Sequence, residues 1–183
     1  MPYWGWIVIA VAAAILVAAV ALGVRAGRSR RLRDAFGPEY DRTVDQAGSR
    51  SEAEAELRER QRRREQLELR RLSAEARDGY LEQWRSTQER FVDDPRVATM
   101  EADRLVLGVM RERGYPVDDF DRRAADISVD YPALVGSYRS AHEVVVRQST
   151  GEATTEDLRR AMRHYRALFD ELLETDSAER LVR

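Results

Sequence analysis

Residues 154–172 read TTEDLRRAMRHYRALFDEL, and this stretch decides the fold class. Leu158, Met162, Tyr165, Phe169 and Leu172 recur at spacings of 4, 3, 4 and 3, the repeat of an α-helix with one apolar face. Arg159, Arg163 and Arg166 lie off that stripe. Thr154 and Asp157 form a weaker variant of the capping box that opens such a helix. Short loops between four or five such helices argue for a small bundle.

The segments before residue 154 supply the others. From Ser73 to about Val92 a helix carries Tyr80, Leu81, Trp84 and Phe91 on one side. Asp93-Asp94-Pro95 ends it and starts the next, with Asp94 as N-cap and Pro95 at the first helical position. That second helix turns Val97, Leu105, Val106, Val109 and Met110 inward and stops at Gly114, with Pro116 just beyond. A short helix is expected over 117–126, carrying Phe120 and Ala124, with Ile127 just past it. Tyr131-Pro132 opens another, with Leu134, Val135, Tyr138, His142 and Val145 on one face, and Gly151 breaks it. No segment is expected to form a strand, so the expectation is all-α: a bundle of four to five helices over 73–174, followed by a flexible tail at 175–183.

Upstream of the bundle the chain changes character. Ser51, with Glu54 three residues later, is expected to cap a charged helix spanning 51–72. Glu54–Arg58, Glu56–Arg60 and Glu59–Arg63 are i,i+4 pairs in the favourable orientation. Its apolar residues are sparse and no heptad seam persists, so it reads as a solvated stalk of about 30 Å. The sharper alternative is a docking helix for a charged partner. Residues 25–50 read as a basic collar and linker, in which Phe36, Tyr40 and Val44 are spaced for one short amphipathic turn.

The N-terminal stretch sets the location. Ile7 to Val24 is a run of 18 apolar or glycine residues without a charge, preceded by Tyr3, Trp4 and Trp6. At about 1.5 Å per residue, the stretch from Trp4 to Val24 crosses a hydrocarbon core of about 30 Å, so residues 1–24 are expected to form a transmembrane anchor. Arg25, Arg28, Arg30, Arg31 and Arg33 follow it, and no Lys or Arg precedes it. The positive-inside rule then predicts a single-pass anchor in the cell membrane, N-terminus outside and the C-terminal domain cytoplasmic. A cleaved signal peptide competes with this reading but lacks a basic start, and Ala19-Val20-Ala21 is a poor cleavage site. An anchor with its domain outside would have to send five arginines across the bilayer. The same arginines form a membrane-surface collar. It either holds anionic lipid or serves as a topology signal alone.

Composition excludes several chemistries. The chain has no cysteine, hence no disulfide framework and no thiol catalysis. It also lacks lysine and asparagine, and all 31 basic residues are arginine. Both missing types have codons beginning AA, so a GC-rich genome accounts for the arginine count. Without the five collar arginines, 26 Arg face 33 Asp and Glu, a formal −7 over residues 34–183. Such a domain is a poor match for a phosphate backbone, and no nucleic-acid partner is expected.

Candidate chemistry is sparse. His142 and His164 are the only histidines, and His142-Glu143 lacks the second histidine of a zinc helix. His142 falls on an apolar stripe beside Tyr138, as a hydrogen-bonded core histidine does. Asp118, Asp119, Asp121, Asp126 and Asp130 cluster, but without the glycine and terminal glutamate of a calcium loop. Gly108 lies mid-helix, where a close helix crossing or a small ligand groove would justify it. No cofactor, metal or catalytic residue is expected.

Phe91-Val92-Asp93-Asp94-Pro95, Arg113-Gly114-Tyr115-Pro116 with Asp119-Phe120, and the segment Arg123 to Pro132 (RAADISVDYP) resemble the core of a family of small uncharacterised bacterial proteins. Thr155-Glu156-Asp157-Leu158-Arg159 and Tyr165-Arg166-Ala167-Leu168-Phe169 extend the resemblance, which covers about residues 72–173. It implies an N-terminal hydrophobic segment and no assigned activity, so no catalytic residue is carried over.

The function expected from these residues is a membrane-anchored helical module that binds another protein, scaffolding or regulatory at the bacterial envelope, and not an enzyme. Tyr115, Phe120 and Tyr131 are the expected partner contacts, since aromatics beside turns often anchor interfaces; the alternative is that they close the bundle's end. A different class, a small-ligand or metal sensor, would bind near Gly108, Tyr138 and His142. Self-association through the stalk or the membrane helix stays open.

Overall fold

The computed structural model describes residues 4–178, without the side chains of 175–178 and of twelve positions between 5 and 24. Among the described residues there are eight helices and no strand, as the all-α expectation requires. They fall into two compact units, Met1–Arg58 and Glu59–Arg183.

In the N-terminal unit, α1 runs from Trp4 to Phe36 and α2 from Pro38 to Gln46, and α3, Arg50–Glu65, supplies its last part. Residues 25–36 are helical, not linker: the apolar run and the collar share one helix of 33 residues. Among the described residues, no helix is long and apolar enough to cross a membrane. Much of the expected anchor's side-chain surface, and residues 1–3, lie outside the described residues. The fold therefore does not itself show a transmembrane span.

Gly37 turns the chain between α1 and α2 with φ +48° and ψ −126°, a conformation that strains an L side chain. Pro38 then fits the first helical position. The turn folds Phe36 and Tyr40 inward, and both are buried, as are Leu32, Ala53 and Leu57 of the same unit. The short amphipathic turn expected at Phe36, Tyr40 and Val44 is thus a real element, although Val44 is only half-buried.

The expected cap of α3 is displaced. Ser49, not Ser51, accepts the Glu52 amide at 3.2 Å, and Glu54 turns its carboxylate into the core of the unit. Arg58 consequently donates to the Glu54 carbonyl at 2.9 Å, not to its carboxylate. Nor does the helix run on to residue 72. It ends at Glu65, and its last turns are tied to α6 (Phe120–Asp130) by Arg60 to Ser128 at 3.3 Å, Arg63 to Asp126 at 3.4 Å and Arg64 to Asp130 at 2.5 Å. The solvated stalk is replaced by a helix that buries Ala53, Glu54, Leu57 and Arg60, followed by a non-helical strap, residues 66–73.

The strap belongs to the C-terminal unit. Its Arg70 amide donates to the Arg113 carbonyl at 2.8 Å. Leu72 is buried, and Leu67 and Leu69 pack against the core. Four further helices follow: α4 (Ala74–Asp93), α5 (Pro95–Arg113), α7 (Val135–Ser149) and α8 (Thr155–Ala178). α5 packs on α4 and α8, and α7 packs on α8. The whole stripe of α8 is buried, and its Phe169 stacks on Trp84 of α4 with ring centroids 4.7 Å apart.

Boundaries follow the caps. Ser73 accepts the Ala76 amide and Asp94 the Val97 amide, each at 3.0 Å. Thr154 and Asp157 bond reciprocally, both at 3.1 Å. Gly114 closes α5 in the left-handed conformation, φ +94°. The expected helix over 117–126 begins instead at Phe120, because Asp119 accepts the Arg122 amide at 2.8 Å, and it continues to Asp130. Residues 131–134 then form a turn, so α7 opens at Val135, not at Tyr131. Of the expected tail, 175–178 continue α8 and 179–183 lie outside the described residues.

Candidate functional site

In the N-terminal unit the collar arginines divide by helix face. Leu22, Arg25, Ala26, Ser29, Arg30 and Arg33 recur at spacings of three, one, three, one and three, so they share one face of α1. With Ser49, Arg50, Ser51 and Glu54 of the α3 end they line an open hollow of about 680 Å³. Arg28 and Arg31 are exposed on the remaining surface and do not line it.

One buried carboxylate organises the floor. Glu54 Oε1 accepts from Ser29 Oγ at 2.5 Å, Tyr40 Oη at 3.0 Å and Arg50 Nε at 3.1 Å. Burial pushes the Glu54 carboxyl up, but these three donors outweigh it and hold the group below its ordinary range. The Arg50 Nε also lies 2.9 Å from the Tyr40 hydroxyl. The guanidiniums of Arg33 and Arg50 sit 4.9 and 6.0 Å from the centroid of the same Tyr40 ring. Tyr40 is wholly buried, so it fixes both cations from beneath. None of Ser29, Tyr40, Arg50 or Glu54 was singled out from sequence for this role. The only available signal was the spacing that brings Ser29 and Arg33 onto one face.

In the C-terminal unit, Tyr115, Phe120 and Tyr131 do not form a presented face. Tyr115 and Tyr131 are 3% and 8% exposed. Tyr115 donates to Asp130 at 2.5 Å, and Tyr131 accepts from the buried Arg113, which also donates to the Leu172 carbonyl at 2.6 Å. Burial, reinforced by the bond to Asp130, pushes the Tyr115 hydroxyl far up. These two rings close the bundle's end. Only Phe120 is partly exposed, and it stacks on His142 at 3.7 Å between centroids.

The expected sensor residues also separate. Gly108 faces Tyr80: an added Cβ would lie 3.2 Å from its hydroxyl, so a close α4–α5 crossing is what the glycine serves. Tyr138 and His142 lie elsewhere, with Phe120. Tyr138 accepts from Arg123 Nε at 2.7 Å, and burial pushes its hydroxyl up to about 12. His142 is not the hydrogen-bonded core histidine expected, since its buried Nδ1 has no partner. Burial lowers its pKa. Tyr165 is wholly buried, and burial together with the neighbouring Asp103 pushes its hydroxyl far up. Among the described residues no group of three His, Asp or Glu could hold a metal ion.

A second surface lies between α4 and α8. Trp84, Gln88, Phe91 and Met162 floor a groove of about 300 Å³, and Arg159, Arg163 and Arg166 rim it. Arg166 lies 5.5 Å from the Trp84 ring centroid and bonds Asp170 at 2.6 Å. Arg163 is 64% exposed, with Glu156 no nearer than 3.8 Å. The arginines off the α8 stripe were the legible half of this groove; that Trp84 and Phe91 lie beside them follows only from the packing of α4 on α8.

No family model matches the chain, no curated protein matches it, and no solved structure matches its fold.

Proposed function

We propose that the chain is a single-pass, membrane-anchored helical module that captures another protein through the groove between α4 and α8. The observation that carries the partner is that groove: an aromatic floor rimmed by three arginines, of which Arg163 is 64% exposed and pairs with Glu156 only at 3.8 Å. Its charge suits an acidic segment carrying one large apolar side chain. Aromatic and arginine side chains are those that dominate binding energy at interfaces. Anchoring is supported by the uncharged run from Ile7 to Val24 and by the exposure of Ile15, Leu16, Val20 and Leu22 on α1, between 58% and 68%. The arginine collar orients it with the bundle in the cytoplasm.

The test places a photo-crosslinking residue at Gln88, inside the groove, or at Arg85, 71% exposed on the same helix. The expected outcome in intact cells is a defined protein adduct from position 88 alone, lost when Arg163→Glu reverses the rim charge. Identical adducts from both positions, or indifference to Arg163→Glu, overturn the groove. Orientation is read from Ser177→Cys, which a membrane-impermeant maleimide should reach only after lysis; labelling of intact cells reverses the topology.

A further inference from the structure

The hollow beside α1 is better built than a topology signal requires. Four guanidiniums line it against one carboxylate, Glu54, a formal charge of +3. That carboxylate is occupied by three donors. Arg33 and Arg50 are held in place by Tyr40, so little side-chain freedom remains to be lost on binding. Arg25 and Arg30 are exposed and carry no ion pair among the described residues. The pair from Arg33 to Asp41 is solvent-exposed on both sides at 3.3 Å, and such pairs exchange readily. Guanidinium forks match the oxygens of a phosphate, and the start of α3 adds its partial positive charge at Ser49 and Ser51.

The remaining wall selects the source of that phosphate. Leu22, 68% exposed, and Ala26 continue the apolar surface of α1 directly into the hollow. A ligand with a phosphate at one end and hydrocarbon at the other satisfies both parts, whereas a free phosphate leaves the apolar wall bare. The lining offers no cluster of acids for a choline group. We propose that this hollow binds the headgroup phosphate of one anionic phospholipid, with its acyl chains along the apolar part of α1. The proposal rests on the membrane-anchored reading and turns a diffuse collar into a defined site.

The experiment uses the full chain in non-ionic detergent micelles and counts bound ligand by native mass spectrometry. Short-chain phosphatidylglycerol, short-chain phosphatidylcholine and inorganic phosphate are titrated in parallel. Wild type should take up one phosphatidylglycerol saturably and neither of the others. Arg25→Gln with Arg30→Gln should weaken it by about tenfold or more, while Arg28→Gln with Arg31→Gln, the same charge loss outside the hollow, leaves it within about twofold. Because Arg25 and Arg30 hold nothing else in place, the fold survives their loss; unchanged circular dichroism checks this. Equal weakening in both double variants reduces the site to the collar's general charge and overturns the proposal. Equal uptake of inorganic phosphate assigns a small-anion site, and equal uptake of phosphatidylcholine a mere apolar contact; either overturns it. Flotation with pure phosphatidylcholine vesicles reads the anchor separately. A chain that fails to float defeats the anchored reading, whatever the micelle titration shows.

Discussion

Glu54 shows how one residue's role depends on where its carboxylate is turned. Three residues after a serine, it has the spacing of a capping glutamate, yet it accepts hydrogen bonds from Ser29, Tyr40 and Arg50. Its pKa is held below the ordinary glutamate value. A depressed carboxyl contributes stability that is fully present above its unfolded pKa and lost as pH falls through the folded one. The N-terminal unit should therefore loosen on the acid side of the ordinary glutamate range. A carbon-13 titration of the Glu54 carboxyl should show a midpoint below that range, and Glu54→Gln should remove the acid-induced loss of order around Tyr40. A midpoint at or above the ordinary value would sink this account. Local spacing could not reveal the role, because two of the three donors, Ser29 and Tyr40, lie 25 and 14 residues upstream.

At the scale of elements, Gly114 joins helix end to strap. Its φ of +94° disfavours any L side chain, and an added Cβ would lie 2.8 Å from the Glu68 carbonyl oxygen. Gly151 is also left-handed, φ +80°, but opens on empty space. Gly151→Ala should cost about 1 kcal/mol from conformation alone, and Gly114→Ala about 2 kcal/mol or more, since backbone must also move. Thermal unfolding of the two variants measures the difference; equal Tm values would mean that the strap does not press on Gly114. The elements that were legible, α4, α5 and α8, are those with side-chain caps or a Pro–Gly frame: Ser73, Asp94 with Pro95 and Gly114, and Thr154 with Asp157. α6 and α7 slipped by several residues. Asp118 and Asp119 are equivalent as letters, and only packing chooses Asp119 as the cap. The strap was missed although Leu67, Leu69 and Leu72 sit among charges with part of an extended alternation. A window of six residues is too short for period alone to separate an extended segment from a sparse helix.

At the scale of the molecule, the C-terminal unit begins near Glu59 and not at Ser73. A fragment of residues 73–183 lacks buried Leu72, the Arg70–Arg113 bond and the ion pairs from Arg63 and Arg64. Burial of one leucine is worth about 1.5–3 kcal/mol and a backbone hydrogen bond about 1 kcal/mol. A fragment of 59–183 should therefore melt about 10 °C above one of 73–183; coincident melting curves would show the strap to be dispensable. The strap also imposes an order on synthesis. Leu72 leaves the ribosome 101 residues before Leu173, with which it shares a core. At about 5–20 residues per second, it waits roughly 5–20 s for its partners. Arg70 and Arg71 beside it, and Glu68 between its leucines, keep that early apolar segment in solution until the last helix arrives, so the first part of the bundle to be made is the last to be enclosed.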